Sequence, residues 1–240
     1  MNNKYRRYAT YQLLVVILAG NTFADSISGE HLDNNYSPNI NRSDPSTVYW
    51  GDTHLHTNLS MDANLWGQNK RLTSDDAYRF AQGEPVIAHN GEPVRLSQPL
   101  DFLVIADHAN NMGVMTALAA NNPLLLAVDK GKQWKKKLQA LQGAEVSYEW
   151  FTDRTFGIFS DGGSVRDTAF RQSVWDTVID KAEHYNRPGQ FTTFIGYEWT
   201  PAELDKWADS KGYTLHHRVV LFKDGQAKTR QVLPFSRYDS

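Results

Sequence analysis

The 240-residue chain contains no cysteine, which excludes a disulfide framework, a thiolate metal site and lipid attachment at an N-terminal cysteine. Any bound metal must therefore be held by nitrogen and oxygen donors. A surplus of one charge is also missing: 25 Lys and Arg stand against 27 Asp and Glu, for a formal net charge of −2. Such a chain has no basic field for counterion release, so nucleic acid is not an expected partner. Its dense positive cluster, Lys132 to Lys137, is short and reads as a solvated helix face. The apolar run Leu13 to Ala19 is well below the roughly 20 residues that a spanning helix needs. With Lys4, Arg6 and Arg7 before it and Thr22, Phe23 and Ala24 after it, the run reads as a secretory signal over residues 1–24. The expectation is an exported, periplasmic protein with no stable membrane anchor once the signal is cut.

What remains has the balance of a globular domain, 40% hydrophobic and 22% charged. Residues 25–46 are rich in Ser, Asn, Asp and Pro and lack apolar periodicity, so they read as a linker, with the fold spanning 47–240. Val48 to His56 reads as a strand entering a polar loop, and a period of two puts Asp52, His54 and His56 on one face. Ser74, Asp75 and Asp76 read as an N-cap and acidic first turn of a short helix. Asn90 and Gly91 signal a two-residue hairpin turn, with His89 beside it as a turn residue. The run Phe102 to Ala106 is uninterruptedly apolar and ends in Asp107 and His108, as a buried parallel strand would.

Met112 to Ala127, Trp134 to Leu141 and Ser173 to Tyr185 have helical spacing, with His184 near the C-terminus of the last. Phe156 to Gly163 reads as an irregular connection, and Phe191 to Gly196 as a strand ending at Tyr197 and Glu198. A further strand, His217 to Phe222, has His216 and His217 at its mouth. Imidazoles and carboxylates thus recur at the ends of apolar strands. In parallel α/β folds the loops at the carboxyl ends of strands converge over one face, where ligands bind. Charged groups ending such apolar strands would be costly unless paired, hydrogen-bonded or bound to metal. Imidazole with carboxylate suits Zn, Mn or Fe.

In order, DTHLHT, IADH, GYEW and HHRVVLF, with GEPVRLSQPLDFLVIADH and LPFSRYDS, resemble the N-terminal part of the DUF3604 family, a branch of the PHP (polymerase and histidinol phosphatase) superfamily of metal-dependent hydrolases. The resemblance runs from about Val48 to Ser240. It implies an α/β fold, the first half of a distorted seven-stranded β/α barrel, holding two or three divalent ions (Zn, Mn or Fe). By the same resemblance His54 and His56 bind one ion, Glu198 bridges it to a second, His217 is a further ligand, and His108 with Asp62 serves another position. The family's later ligands, another histidine and a C-terminal Asp/His pair, fall outside the matched region, so the chain is expected to be a truncated copy with an incomplete site that need not be active as it stands.

Asp52 and Asp107 are assigned to the catalytic surroundings as acceptors of imidazole N–H groups, and Arg218 as a clamp for an anionic substrate group. The expected activity is hydrolysis of a small anionic ester, a phosphoester above others, by metal-activated water. Two other readings stand beside it. One is a non-catalytic exported remnant or metal- or ligand-binding protein. The other is an amidohydrolase, which also opens with HxH but requires a bridging lysine where this chain has Glu198.

Overall fold

Strand β1 (Gly51–Leu55) delivers the chain into a loop carrying His56 to Ser60, and a single π-helical turn (Asp62–Trp66) follows. A computed structural model describes residues 47–152, 168–204 and 213–236; the signal, the linker and the irregular connection at Phe156 to Gly163 lie outside them. Helix α1 (Ser74–Ala81) starts one residue earlier in capping terms than the sequence suggests. Thr73 is its N-cap, and a capping box joins the Thr73 and Asp76 side chains to each other's backbone N–H groups.

The hairpin of β2 (Val86–Ile87) and β3 (Pro93–Val94) also departs from expectation. Ala88 donates to the Glu92 carbonyl and Gly91 donates to the Ala88 carbonyl, closing a three-residue loop over His89 to Gly91. Only Gly91 takes a positive φ, 92°, whereas a two-residue turn would demand one at Asn90 as well. His89 sits exposed in this loop, as a turn residue should.

Strand β4 (Phe102–Ile105) is the apolar strand anticipated from the sequence, with Leu103, Val104 and Ile105 buried. Four helices follow: α2 (Val114–Ala119), α3 (Pro123–Leu126), α4 (Asp129–Gln139) and α5 (Gly143–Thr152). The single helical stretch expected from Met112 to Ala127 is divided because Asn121 is left-handed at φ 59° and Pro123 opens a new helix, capped by the Asn122 side chain. Helix α4 buries Trp134 and carries the lysine cluster on its outer face. There Lys132 pairs with Asp129, Lys137 with Glu149, and Lys135 donates to the Leu118 carbonyl at 2.7 Å.

After α6 (Thr168–Tyr185), the strand expected over Phe191 to Gly196 splits into β5 (Thr192–Phe194) and β6 (Gly196–Trp199). β5 joins the parallel sheet, whose order is β1-β4-β5, while β6 pairs antiparallel with β9 (Arg218–Leu221). Gly196 permits the switch. A Cβ there would lie 2.8 Å from Val104 Cγ1 and 2.9 Å from the Val220 carbonyl oxygen, closer than real Cβ atoms come. A third antiparallel pair, β7 (Ala202–Leu204) with β8 (Tyr213–Leu215), lies between β6 and β9 in sequence, and α7 (Gln226–Thr229) follows β9. The result is a mixed α/β fold. Among the described residues the strands do not close into a barrel, and parallel pairing is confined to three strands plus a bridge between His108 and Glu198.

Two buried clusters fix this arrangement. Tyr78 of α1, Leu103 and Ile105 of β4, Trp175 and Ile179 of α6 and Tyr197 of β6 form one, so both helices press on the same side of the sheet. The second gathers Met61 and Leu65 with Leu118, Leu125, Trp134 and Val146 from α2 to α5. It anchors the π-helical turn, and Trp66 Nε1 donates to Ser147 Oγ at 2.9 Å to pin that turn to α5. The turn begins with Asp62, so the helical layer positions a residue of the site. Among the described residues no helix is long and apolar enough to cross a membrane.

Candidate metal centre

The carboxyl ends of β1, β4 and β6 meet at one edge. Ala106 donates to the Leu55 carbonyl, Glu198 to the Asp107 carbonyl and Ala109 to the Glu198 carbonyl, lacing the three exits together. His56, His108 and Glu198 are brought together by this backbone lattice. His217 arrives differently. Because β9 runs antiparallel to β6, with Trp199 opposite Arg218, the start of β9 lies beside the end of β6. A histidine at the mouth of a strand therefore joins groups at the exits of others.

Glu198 is at the centre. It is only 1% exposed, and its Oε2 lies 2.8 Å from Nε2 of both His54 and His56. Its Oε1 accepts from Thr200 Oγ1 at 2.8 Å and meets His217 Nδ1. His108 is buried alongside, with Nδ1 2.9 Å from Thr200 Oγ1 and 3.5 Å from Glu198 Oε2. Asp62 Oδ2 lies 2.7 Å from His56 Nδ1 and 3.5 Å from His108 Nε2. Ser60 Oγ donates to Asp62 Oδ1 at 2.6 Å and accepts from the His108 N–H at 3.1 Å.

Three groups could each hold a metal ion: His54, His56 and Glu198; His56, Asp62 and His108; and His108, Glu198 and His217. Within each, the ligand atoms lie within 4.8 Å of one another. All six residues expected to bind metal are thus brought together. One orphaned atom tests the fit. His56 Nε2 is buried without a hydrogen bond although Glu198 Oε2 is 2.8 Å away, because the contact is not aligned as a hydrogen bond. Close donor atoms that point past one another are what a ligand shell needs and a hydrogen-bonded ion pair does not. The donor set, imidazole and carboxylate without sulfur, fits a borderline first-row ion.

The electrostatics agree. Burial alone would drive His56 down, but the hydrogen bond to Asp62 and the negative charge of the adjacent Glu198 and Asp62 carboxylates outweigh it and carry the imidazole up to about 10. Burial would raise Glu198, yet His56, His54, His108 and Thr200 hold it below the ordinary carboxylate range. Asp62 is likewise held low against its burial by His108, His56 and Ser60. Without an ion, the cluster can compensate its own buried charge only by keeping protons on imidazole.

Of the three groups expected to act catalytically, Asp52 and Asp107 are placed otherwise. Asp52, exposed on β1, spends its carboxylate on the backbone N–H of His54 at 2.8 Å and, among the described residues, bonds no imidazole. Asp107 accepts the Thr57 N–H at 2.5 Å and the Thr57 hydroxyl at 2.7 Å, so it ties the loop after β1 to the end of β4. Burial pushes its carboxyl up to about 6 against those two bonds. The imidazole-orienting role expected of these two falls to Asp62. Arg218 is exposed at the rim next to His217, its guanidinium 5.4 Å from the centre of the Trp199 ring. His216 is set apart, bonded through its backbone to Pro201.

Thr200 and Ser60 were not singled out from the sequence. Thr200 follows Glu198 by two residues and so shares its side of the chain, a signal available from strand period alone. Ser60 carries no such mark.

The family model described as protein of unknown function (DUF3604) matches residues 43–240. The chain belongs to the DUF3604 family. No curated protein and no solved structure matches this DUF3604 chain.

Proposed function

We propose that this DUF3604 protein is a metal-dependent hydrolase of small anionic esters, phosphoesters foremost, with two ions sharing Glu198. The observation that carries the reading is the division of that carboxylate: Oε2 faces His54 and His56 while Oε1 faces His217. One ion would take His54, His56 and Glu198, and the other Glu198, His108 and His217, with Asp62 orienting His56 from its Nδ1 side. Zn, Mn and Fe all suit these donors.

Divalent ions held there would supply Lewis acidity, polarising the ester oxygens and lowering the pKa of water. The protein's own groups account for the rest. Glu198, buried and kept ionised by its imidazole neighbours, fixes the spacing of the two halves of the site. Asp62 accepts from Nδ1 of His56 and so leaves Nε2 free as a donor. Arg218, steadied over Trp199, offers a planar fork to the anionic oxygens of the ester. In the reaction, an oxygen–phosphorus bond forms from water and the ester oxygen–phosphorus bond breaks; the departing alkoxide takes a proton and leaves as the alcohol.

The PHP-type branch, and export directed by residues 1–24, belong to the same proposal; N-terminal sequencing of secreted protein should find the chain starting at Asp25. The chemistry is tested by metal analysis of purified protein and assay against a panel of phosphate and sulfate esters. Bound Zn, Mn or Fe that is lost in His54→Ala together with hydrolysis supports the reading. A wild-type protein without bound metal, or one whose metal and activity survive His54→Ala, overturns it.

A further inference from the structure

A cavity of about 190 Å³ lies beside His56, walled by the end of β1, the segment before α1, α1 itself and the β2–β3 hairpin. Leu55, Leu72, Ala77, Phe80, Val86 and Val94 give it an apolar surface. His56 and Thr57 belong both to this wall and to the loop that builds the metal centre.

Polar groups also reach the cavity; apart from His56, which belongs to the metal centre, they are engaged with neighbours. Thr57 gives its N–H and hydroxyl to Asp107. Asp76 and Thr73 satisfy one another in the capping box. Asn69 is closed on Leu72, accepting its N–H and donating to its carbonyl. The hairpin wall is itself fastened: Arg71 Nη2 donates to the Ile87 and Ala88 carbonyls at 3.0 and 2.7 Å. The wall is therefore mainly apolar, with most of its polar side chains already engaged, and a polar group placed against it would lose water with little compensation. Dry apolar cavities of roughly 150 Å³ accept benzene-sized molecules, so the dimensions admit a compact ring or branched alkyl group.

We propose that this cavity is the subsite for a compact apolar group of the substrate, so that the preferred substrates are anionic esters of arylmethyl or branched alkyl alcohols. The assignment rests on the reading of the adjoining centre as an ester hydrolase: the anionic head lies at the metal ligands and the apolar group extends past His56. The cleavage is the hydrolysis already described, with the apolar alcohol as leaving group. Filling the cavity from its hairpin wall, by Ala88→Phe, removes the space without touching a metal ligand.

Benzyl phosphate and methyl phosphate provide the test, since both release a primary alkoxide and differ in the apolar group. For metal-loaded wild type, kcat/KM should favour benzyl phosphate by about 10- to 100-fold. Ala88→Phe should abolish that preference and leave methyl phosphate hydrolysis unchanged. Benzylphosphonate should inhibit the wild type more tightly than methylphosphonate by a similar factor, a comparison that needs no variant. Benzyl alcohol added to chelator-treated wild type should shift the NMR methyl signals of Ala77, Ala88 and Val94, reporting on the cavity without any metal. Hydrolysis of methyl phosphate with no benzyl preference and no methyl shifts overturns the subsite while leaving the hydrolase reading intact. Methyl shifts with neither ester hydrolysed overturn the hydrolase reading, and with it the assignment of the cavity to an ester substrate.

Discussion

Glu198 Oε2 stands 2.8 Å from the Nε2 atoms of both His54 and His56, although 144 residues separate Glu198 from His54. The contact to His54 is a hydrogen bond and that to His56 is not, so the carboxylate oxygen is shared between two imidazoles without satisfying both. Glu198→Gln keeps the shape but removes the charge that balances two sets of histidines. It is expected to retain about half or less of the wild-type metal, measured by inductively coupled plasma mass spectrometry, with the far-ultraviolet circular dichroism of the helices preserved. Full metal occupancy in this variant would remove Glu198 from the centre.

Asp62 is the group that holds His56 from behind, at Nδ1. Asp62→Ala should weaken metal affinity by about 10- to 100-fold while leaving the number of ions at saturation unchanged, because orientation of a ligand is lost and not a ligand. Competition titration against a chelator reads the affinity. A saturating stoichiometry lower by one ion would instead make Asp62 a ligand with His108.

The metal-free protein should show a stability optimum displaced to acid pH. His56 is raised from an ordinary 6.5 to about 10, so the stability of its ion pairs is complete below about 6.5 and is lost as pH climbs towards 10. Glu198 and Asp62 are lowered, so their contribution is present above about 4.5 and is lost as pH falls below that. Asp107, raised to about 6, removes stability between 3.8 and 6 as it ionises in its buried site. Together these put the optimum near about pH 5. Added metal requires neutral imidazoles and should move the optimum upward. Chemical denaturation across pH, with and without Zn, measures both; a metal-free optimum above about pH 7 would contradict the assigned pairing.

Gly196→Ala should destabilise the fold by about 1–3 kcal/mol, since the new methyl group meets Val104 and the Val220 carbonyl where β5 gives way to β6. The strain falls two residues before Glu198, so metal binding should weaken as well. Urea denaturation and metal titration of the same sample test the two effects together.

His54, His56, His108, Glu198 and His217 were each legible because a ligand-type residue ends or opens an apolar strand, and strand period two puts His54 and His56 on one side. Asp107 shows the limit of that signal. It ends β4 just before His108, yet the alternation of the chain turns it to Thr57 and away from the imidazoles. The three-residue hairpin loop and the division of the Met112 to Ala127 helix were missed for a similar reason, because both depend on which single residue adopts a positive φ.

The sequence by itself determined the donor chemistry, the apolar strand β4, the helix α6 and the family, since these depend on residue type and local period. Tertiary structure alone decided that β6 leaves the parallel sheet for β9, and thereby that His217, at the start of a strand, sits against a carboxylate at the end of another. It also decided that Asp62 and not Asp52 orients His56. Both outcomes depend on long-range pairing and on a helical layer that fixes the π-helical turn, and neither leaves a periodic mark in the chain.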